Sequence, residues 1–191
     1  MARARTFLAV ELSPTAKAAA VDFQRALARA TTAAGVKWVD PANLHVTLLF
    51  LGEVDGRDLV PLCRILDAAA ARSPAFDLRV AGVGAFPTPR RPKTLYAGVT
   101  DGAAELTALH ALLQPPLMEL GVTRREDRAY SPHLTLGRVT VEADGDLIAA
   151  ELPKHAAWTA GASAVAEVVL FTSELRRAGP EYTAVSRAAL G

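Results

Sequence analysis

Two four-residue stretches constrain this chain more than anything else in it: His45-Val46-Thr47-Leu48 and His133-Leu134-Thr135-Leu136. Each sets a histidine and a threonine two residues apart inside an apolar run. In an extended strand, residues i and i+2 point to the same face. Each stretch therefore presents an imidazole beside a hydroxyl and turns Val46 and Leu48, or Leu134 and Leu136, the other way. An imidazole exchanges protons near neutral pH, and a hydroxyl donates hydrogen bonds to an oxyanion. The other two of the four histidines, His110 and His155, have no threonine two positions on. For one histidine in an apolar strand, a core residue bonded to backbone is the better reading. Two identical constellations far apart in sequence read instead as halves of one acid–base site.

The flanks repeat as well. Thr6 to Leu12 reads as a strand. Ser13 caps and Pro14 opens a helix to about Thr32, with Ala18, Val21, Phe23, Leu27 and Ala28 as its apolar side. A short extended piece, Val36 to Val39, precedes the first motif strand, Leu44 to Leu51, which is expected to stop at Gly52. A helix over Arg57–Arg72, a strand over Phe76–Phe86, a basic turn over Pro87–Lys93 and a strand over Thr94–Thr100 follow. A third helix covers Ala103–Leu120, and Val122–Arg128 reads as a charged loop or short strand. The second motif strand runs from His133 to about Val141. A short helix over Asp146–Leu152 and two closing strands, Trp158–Phe171 and Tyr182–Ala188, complete the chain. The order is strand, helix, motif strand, helix, strand, given twice, with no linker between the copies. It predicts an α+β fold of two related, mainly antiparallel halves packed as one unit around a central cleft, with helices outside.

The 191 residues are 51% hydrophobic and 21% charged, ordinary for a folded soluble protein. A net charge of +1 excludes a global polycation that coats duplex DNA, so contact with nucleic acid has to come from local patches. Cys63 is the only cysteine, which precludes an internal disulfide and fits a reducing compartment. The basic start Met1–Arg5 is followed by an apolar run too short for a signal peptide, and no run approaches a membrane span. A cytoplasmic monomer without membrane contact is expected.

Several kinds of reactive arrangement are missing. There is no GxxxxGK[ST] loop, and Gly82-Val83-Gly84 lacks the third glycine of a dinucleotide fingerprint. No lysine lies in a Lys-x-Asp-Gly setting. No HExxH, His-x-His or cysteine cluster points to a metal, so neither metal nor cofactor is expected. Ser131 lacks the G-x-S-x-G context of a serine hydrolase. What remains is chemistry by two imidazoles, one taking a proton from a nucleophile and the other giving one to a leaving group. That pairing suits phosphoryl transfer.

The paired motifs resemble those of the 2H phosphoesterase superfamily, in particular the RNA 2′,3′-cyclic phosphodiesterases, also called 2′-5′ RNA ligases. Arg5–Val10 resembles that family's opening strand. Trp38-Val39 with Asn43–Leu48 and Phe50-Leu51-Gly52 resembles its first motif block, and Tyr130–Arg138 its second. Gly84-Ala85-Phe86-Pro87 and Leu170–Leu175 with Tyr182 resemble its middle and C-terminal segments. Tyr96 departs from the tryptophan common there and is expected to alter packing only. The resemblance implies a bilobed fold with both motifs lining a cleft, and hydrolysis of RNA 2′,3′-cyclic phosphate ends to 2′-phosphates without metal or nucleotide cofactor. By the same resemblance His45 is the proton donor to the departing O3′, His133 the proton acceptor from water, and Thr47 and Thr135 hold phosphate oxygens. From the residues alone the acid and base labels stay interchangeable. Single-stranded RNA ends or nucleoside 2′,3′-cyclic phosphates are the expected partners. Another small cyclic phosphate, a 2′-5′ oligonucleotide, or a non-catalytic RNA-end binder are the alternatives.

Further binding residues follow from position. Phe50 and Arg138 each lie five residues after a motif histidine, an odd offset that a regular strand turns away. A twist or bulge returns them to the cleft rim, Phe50 under a base and Arg138 near a phosphate. Otherwise Phe50 packs in the core and Arg138 is a solvated charge. Arg90, Arg91 and Lys93 form one basic cluster, and Arg124, Arg125 and Arg128 another. Both suit a single-stranded RNA end or, equally, a solvated face.

Overall fold

A computed structural model describes residues 3–32, 35–124, 129–177 and 179–191. The elements in order are β1 (Arg3–Glu11), α1 (Pro14–Thr31), β2 (Val36–Trp38), β3 (His45–Asp55), α2 (Leu59–Ala70), β4 (Phe76–Thr88) and β5 (Arg91–Val99). Then come α3 (Ala103–Glu119), β6 (His133–Val139), α4 (Glu142–Glu151), β7 (Thr159–Val165), β8 (Glu167–Arg176) and β9 (Gly179–Ala189). Among the described residues no helix is long and apolar enough to cross a membrane.

The nine strands form a curled antiparallel sheet in the order β7-β4-β5-β6-β3-β1-β8-β9, with β2 also on β6. Its middle is thin. β3 and β6, the two motif strands, pair only at Val46 and Leu134. The two expected sheets are thus two halves joined at one residue pair, β3-β1-β8-β9 on one side and β6-β5-β4-β7 on the other. Helices α2 and α3 cover the first half, and α1 and α4 the second. One late strand of each repeat crosses over: β4 joins the half built on β6, and β8 joins the half built on β3, while β7 stays on the β6 side. The repeats interlock, so no linker is needed between them.

The helices follow their apolar spacing. In α3, Leu106, Leu109, Leu113 and Leu117 recur at three and four residues and are all buried. In α1 the buried side is Ala16, Ala20, Phe23, Gln24, Leu27 and Thr31, so the stripe lies a little off the expected one and Ala18 is exposed. The buried Gln24 amide donates to the Val39 carbonyl (3.0 Å) and the Leu136 carbonyl (2.8 Å), tying α1 to β2 and β6. Ser13 caps α1 through the Ala16 amide, with Pro14 in the first turn.

Four expectations change. β3 continues past Gly52, which adopts φ 72° within the strand and so lets the chain run on to Asp55. β4 and β5 extend each other, shrinking the basic turn to Pro89-Arg90. The stretch 158–171 holds two strands, β7 and β8, broken at Ala166. α4 begins at Glu142 rather than Asp146. Arg125 and Arg128 lie outside the described residues.

Val46 and Leu134 are both fully buried beneath the junction. Leu134→Ala is expected to cost about 2–5 kcal/mol, the usual penalty for such a truncation in a packed core. Urea denaturation with an unchanged m-value would measure it; a loss near zero would place the junction outside the core.

Candidate active site

The two motif strands are built alike. In β3, Val46, Leu48 and Leu49 are buried while His45 and Thr47 are half-exposed; in β6, Leu134, Leu136 and Gly137 are buried while His133 and Thr135 are half-exposed. Two consecutive buried positions break the alternation in each strand at the same place. The register shows why. Leu8 pairs with Leu49 but Ala9 with Thr47, and Leu95 pairs with Gly137 but Tyr96 with Thr135. Leu48 and Leu136 are therefore the extra residues of matching β-bulges, which flip the face of the residues that follow; in β3 a second shift at Leu51 flips it again. The bulges bring Phe50 and Arg138 back to the side of the histidines, and both line the same cavity. Phe50 is 71% exposed, which overturns core packing for it. Arg138 donates to Thr94 Oγ1 at 3.1 Å.

Each histidine is held in the same way. His45 Nδ1 lies 2.7 Å from the Asn43 carbonyl and His133 Nδ1 2.8 Å from the Ser131 carbonyl, in both cases the residue two before. A carbonyl only accepts, so Nδ1 carries a proton in both rings and Nε2 is left to exchange one. In neutral His45, Nε2 accepts from the Thr47 hydroxyl at 2.9 Å. The Asn43 carbonyl is set by a 3-10 turn, Pro41–Asn43, capped by the Asp40 side chain.

Aromatic rings back both histidines. Phe7 stacks on His45 at 4.9 Å, with the Tyr182 edge at 5.5 Å. Phe86 and Tyr96 present edges to His133 at 5.1 and 5.7 Å and stack on each other at 4.3 Å. Tyr96 therefore does more than alter packing: its ring meets His133. Gly84 makes room for it, since a Cβ there would lie 2.6 Å from the tyrosine oxygen. Burial lowers the His45 pKa below the ordinary histidine value, with Lys17 and His133 acting the same way; the Asn43 hydrogen bond and Glu11 partly oppose it.

A cavity of about 600 Å³ lies beside these groups, within the range of small-molecule sites. His45, Thr47 and Thr135 line it together with Trp38, Phe50, Arg138 and Tyr182. The β8–β9 hairpin forms one wall, pinned by the Asn43 amide donating to the Pro180 carbonyl at 2.8 Å. In that wall Arg176 is paired with Glu174 (2.6 Å) and Glu181 (3.1 Å). Tyr130, in the loop before β6, donates to the Thr47 carbonyl at 2.8 Å, a second link between the motifs. Burial raises its pKa, which keeps the phenol a donor. Trp38, Tyr130 and Tyr182 are legible in the sequence only as members of strands or flanks, because pairing across the sheet is what brings them here. Arg90 and Arg91 sit at the exposed tip of the β4–β5 hairpin and do not line the cavity. Arg124 lines a separate pocket that Phe50 also borders, and Arg128 is outside the described residues.

Comparison with known proteins places this geometry. A family model described as LigT like Phosphoesterase matches residues 10–96. A Methanothermobacter thermautotrophicus protein named RNA 2′,3′-cyclic phosphodiesterase is 33% identical over 181 residues, 95% of this chain and 96% of its own length. An Archaeoglobus fulgidus protein of the same name is 36% identical over 148 residues, 78% of this chain and 80% of its own. Among solved structures, one from Thermus thermophilus superposes with a TM-score of 0.81 at 29% identity, covering 97% of each chain. Escherichia coli LigT complexed with 3′-AMP gives 0.75 at 25% identity, covering 98% of each. With identity above 30% over most of its length and this fold, the chain belongs to the LigT-like phosphoesterase family of the 2H phosphoesterase superfamily.

Proposed function

We propose that this chain is a cyclic phosphodiesterase that opens 2′,3′-cyclic phosphate ends of RNA to 2′-phosphomonoesters, working as one unit in which each half supplies one histidine. The observation that carries the reading is the Val46–Leu134 pairing, which sets the two His-x-Thr strands side by side with His45, Thr47 and Thr135 lining one cavity. The names of the relatives and the 3′-AMP bound to Escherichia coli LigT support the substrate class.

In the proposed reaction His133 Nε2 takes a proton from water as its oxygen attacks phosphorus. The P–O3′ bond breaks, and His45 Nε2–H gives its proton to O3′, leaving the phosphate on O2′. The Thr47 and Thr135 hydroxyls hold the non-bridging oxygens as charge builds on them. Arg138 adds a fixed positive charge at the rim, and the exposed Phe50 ring offers a face to the base. His45 starts neutral because it is buried. An anionic phosphate in the cavity favours its charged form, so substrate binding supplies the proton-loaded acid. With a 5′-hydroxyl attacking in place of water, the same steps form a P–O5′ bond as P–O3′ breaks and so join RNA ends through a 2′-5′ bond, weakly in water; run backwards, they cleave that bond.

His45→Ala or His133→Ala is expected to lower kcat on a 2′,3′-cyclic phosphate by about 10²–10⁴-fold each, with an unchanged melting temperature. EDTA is expected to leave turnover unchanged, and the product to carry a 2′-phosphate. Tight retention of the cyclic end without any product would overturn the reading in favour of an RNA-end binder.

The lowered His45 pKa also has a stability consequence. The unfolded ring titrates near 6.5, the folded ring below it. Between the two values the unfolded chain binds more protons, so the contribution is complete above about pH 6.5 and is lost as pH falls through that window. Unfolding free energy is expected to fall between pH 7 and pH 5, and to fall less in His45→Gln. Equal slopes in the two proteins would contradict it.

A further inference from the structure

We propose that the β4–β5 hairpin from Phe86 to Lys93 is a track for the single-stranded RNA leading into the site, so that the substrate is a polynucleotide end rather than a free cyclic nucleotide. This rests on the cyclic-phosphodiesterase reading above and extends it. The cavity accounts for one terminal nucleotide; the hairpin lies outside its lining.

Phe86 stands between the catalytic face and the hairpin. It is stacked on Tyr96, touches the His133 ring by its edge, and is 36% exposed. Beyond it the chain reads Pro87-Thr88-Pro89-Arg90-Arg91-Pro92-Lys93, three cations and no carboxylate. Arg90, Arg91 and Lys93 are all exposed, and none is in an ion pair among the described residues. The β8–β9 hairpin on the other side behaves differently, because its Arg176 is taken up by Glu174 and Glu181. Helix α4 packs against β5 and brings Glu142, Asp144 and Asp146, of which Asp144 accepts from the Gly35 amide at 2.5 Å.

An exposed ring beside the reacting centre, followed by a run of unpaired cations, is the combination that holds single strands. A base stacks on the aromatic face while the backbone phosphates meet the charges, with little dependence on sequence. The tip lies about 13 Å of strand beyond Phe86, beyond the reach of a single cyclic nucleotide held at His45. Mononucleotides leave those cations unused; a longer strand releases counterions from them.

The test uses the full chain and a variant with Arg90, Arg91 and Lys93 all changed to Ser, exposed positions whose replacement spares the core. Turnover is compared on adenosine 2′,3′-cyclic phosphate and on an eight-residue oligoribonucleotide with a cyclic-phosphate end. Binding of a labelled 3′-phosphorylated octaribonucleotide is followed by anisotropy at several salt concentrations. The wild type is expected to prefer the oligonucleotide in kcat/KM, and the variant to lose that preference at least tenfold. The slope of log affinity against log salt is expected to shrink by about two, near 0.7 for each cation removed. An unchanged preference together with an unchanged slope overturns the track. Absence of turnover on either substrate would count against the phosphodiesterase reading, while the salt slope still reports on the hairpin.

Discussion

Val46 and Leu134 pair across the middle of the sheet, and the rest of the site depends on that one contact. Each is the residue between a motif histidine and its threonine, so pairing them sets both imidazoles and both hydroxyls at one depth on the open face. Both side chains are completely buried, which makes the junction part of the core rather than a surface bridge. The Tyr130 hydroxyl on the Thr47 carbonyl adds a second, polar link from one half to the other. A site divided between two halves is precise only if those halves cannot slide. A one-residue slip would turn every side chain of a motif strand to the wrong face.

The two bulges follow from the same geometry. By placing Leu48 and Leu136 as extra residues, they bury two neighbours in succession and return the fifth residue after each histidine to the cleft. Position for position the halves match, and chemically they differ there: one offers an exposed phenyl ring and the other a guanidinium. A pseudo-symmetric scaffold thus carries an asymmetric rim. Gln24 fixes one of the bulges from behind, since its amide donates to the carbonyl of Leu136 itself.

The duplicated order and the paired motifs are legible in the sequence because local rules govern them. Alternation in a strand, Ser13-Pro14 at a helix start and leucines at three and four residues all act within a few positions. The faces of Phe50 and Arg138 are not legible, since a bulge depends on what the neighbouring strand pairs with. Tyr96 reads as packing because nothing local links it to His133; only the β5–β6 register sets it opposite Thr135. Gly52 reads as a stop because glycine often ends strands, yet here its positive φ sits within one. The break at Ala166 is hidden by an unbroken apolar run on either side of it.

The crossing of β4 and β8 makes each half of the sheet a composite of both repeats. Neither repeat taken alone owns a complete hydrophobic layer, because the strand that finishes its sheet belongs to its sibling. Cutting away either repeat would therefore strip a strand from the other's sheet as well as its own. The two repeats have to fold and melt as one unit, free to differ at the rim but bound together at the centre.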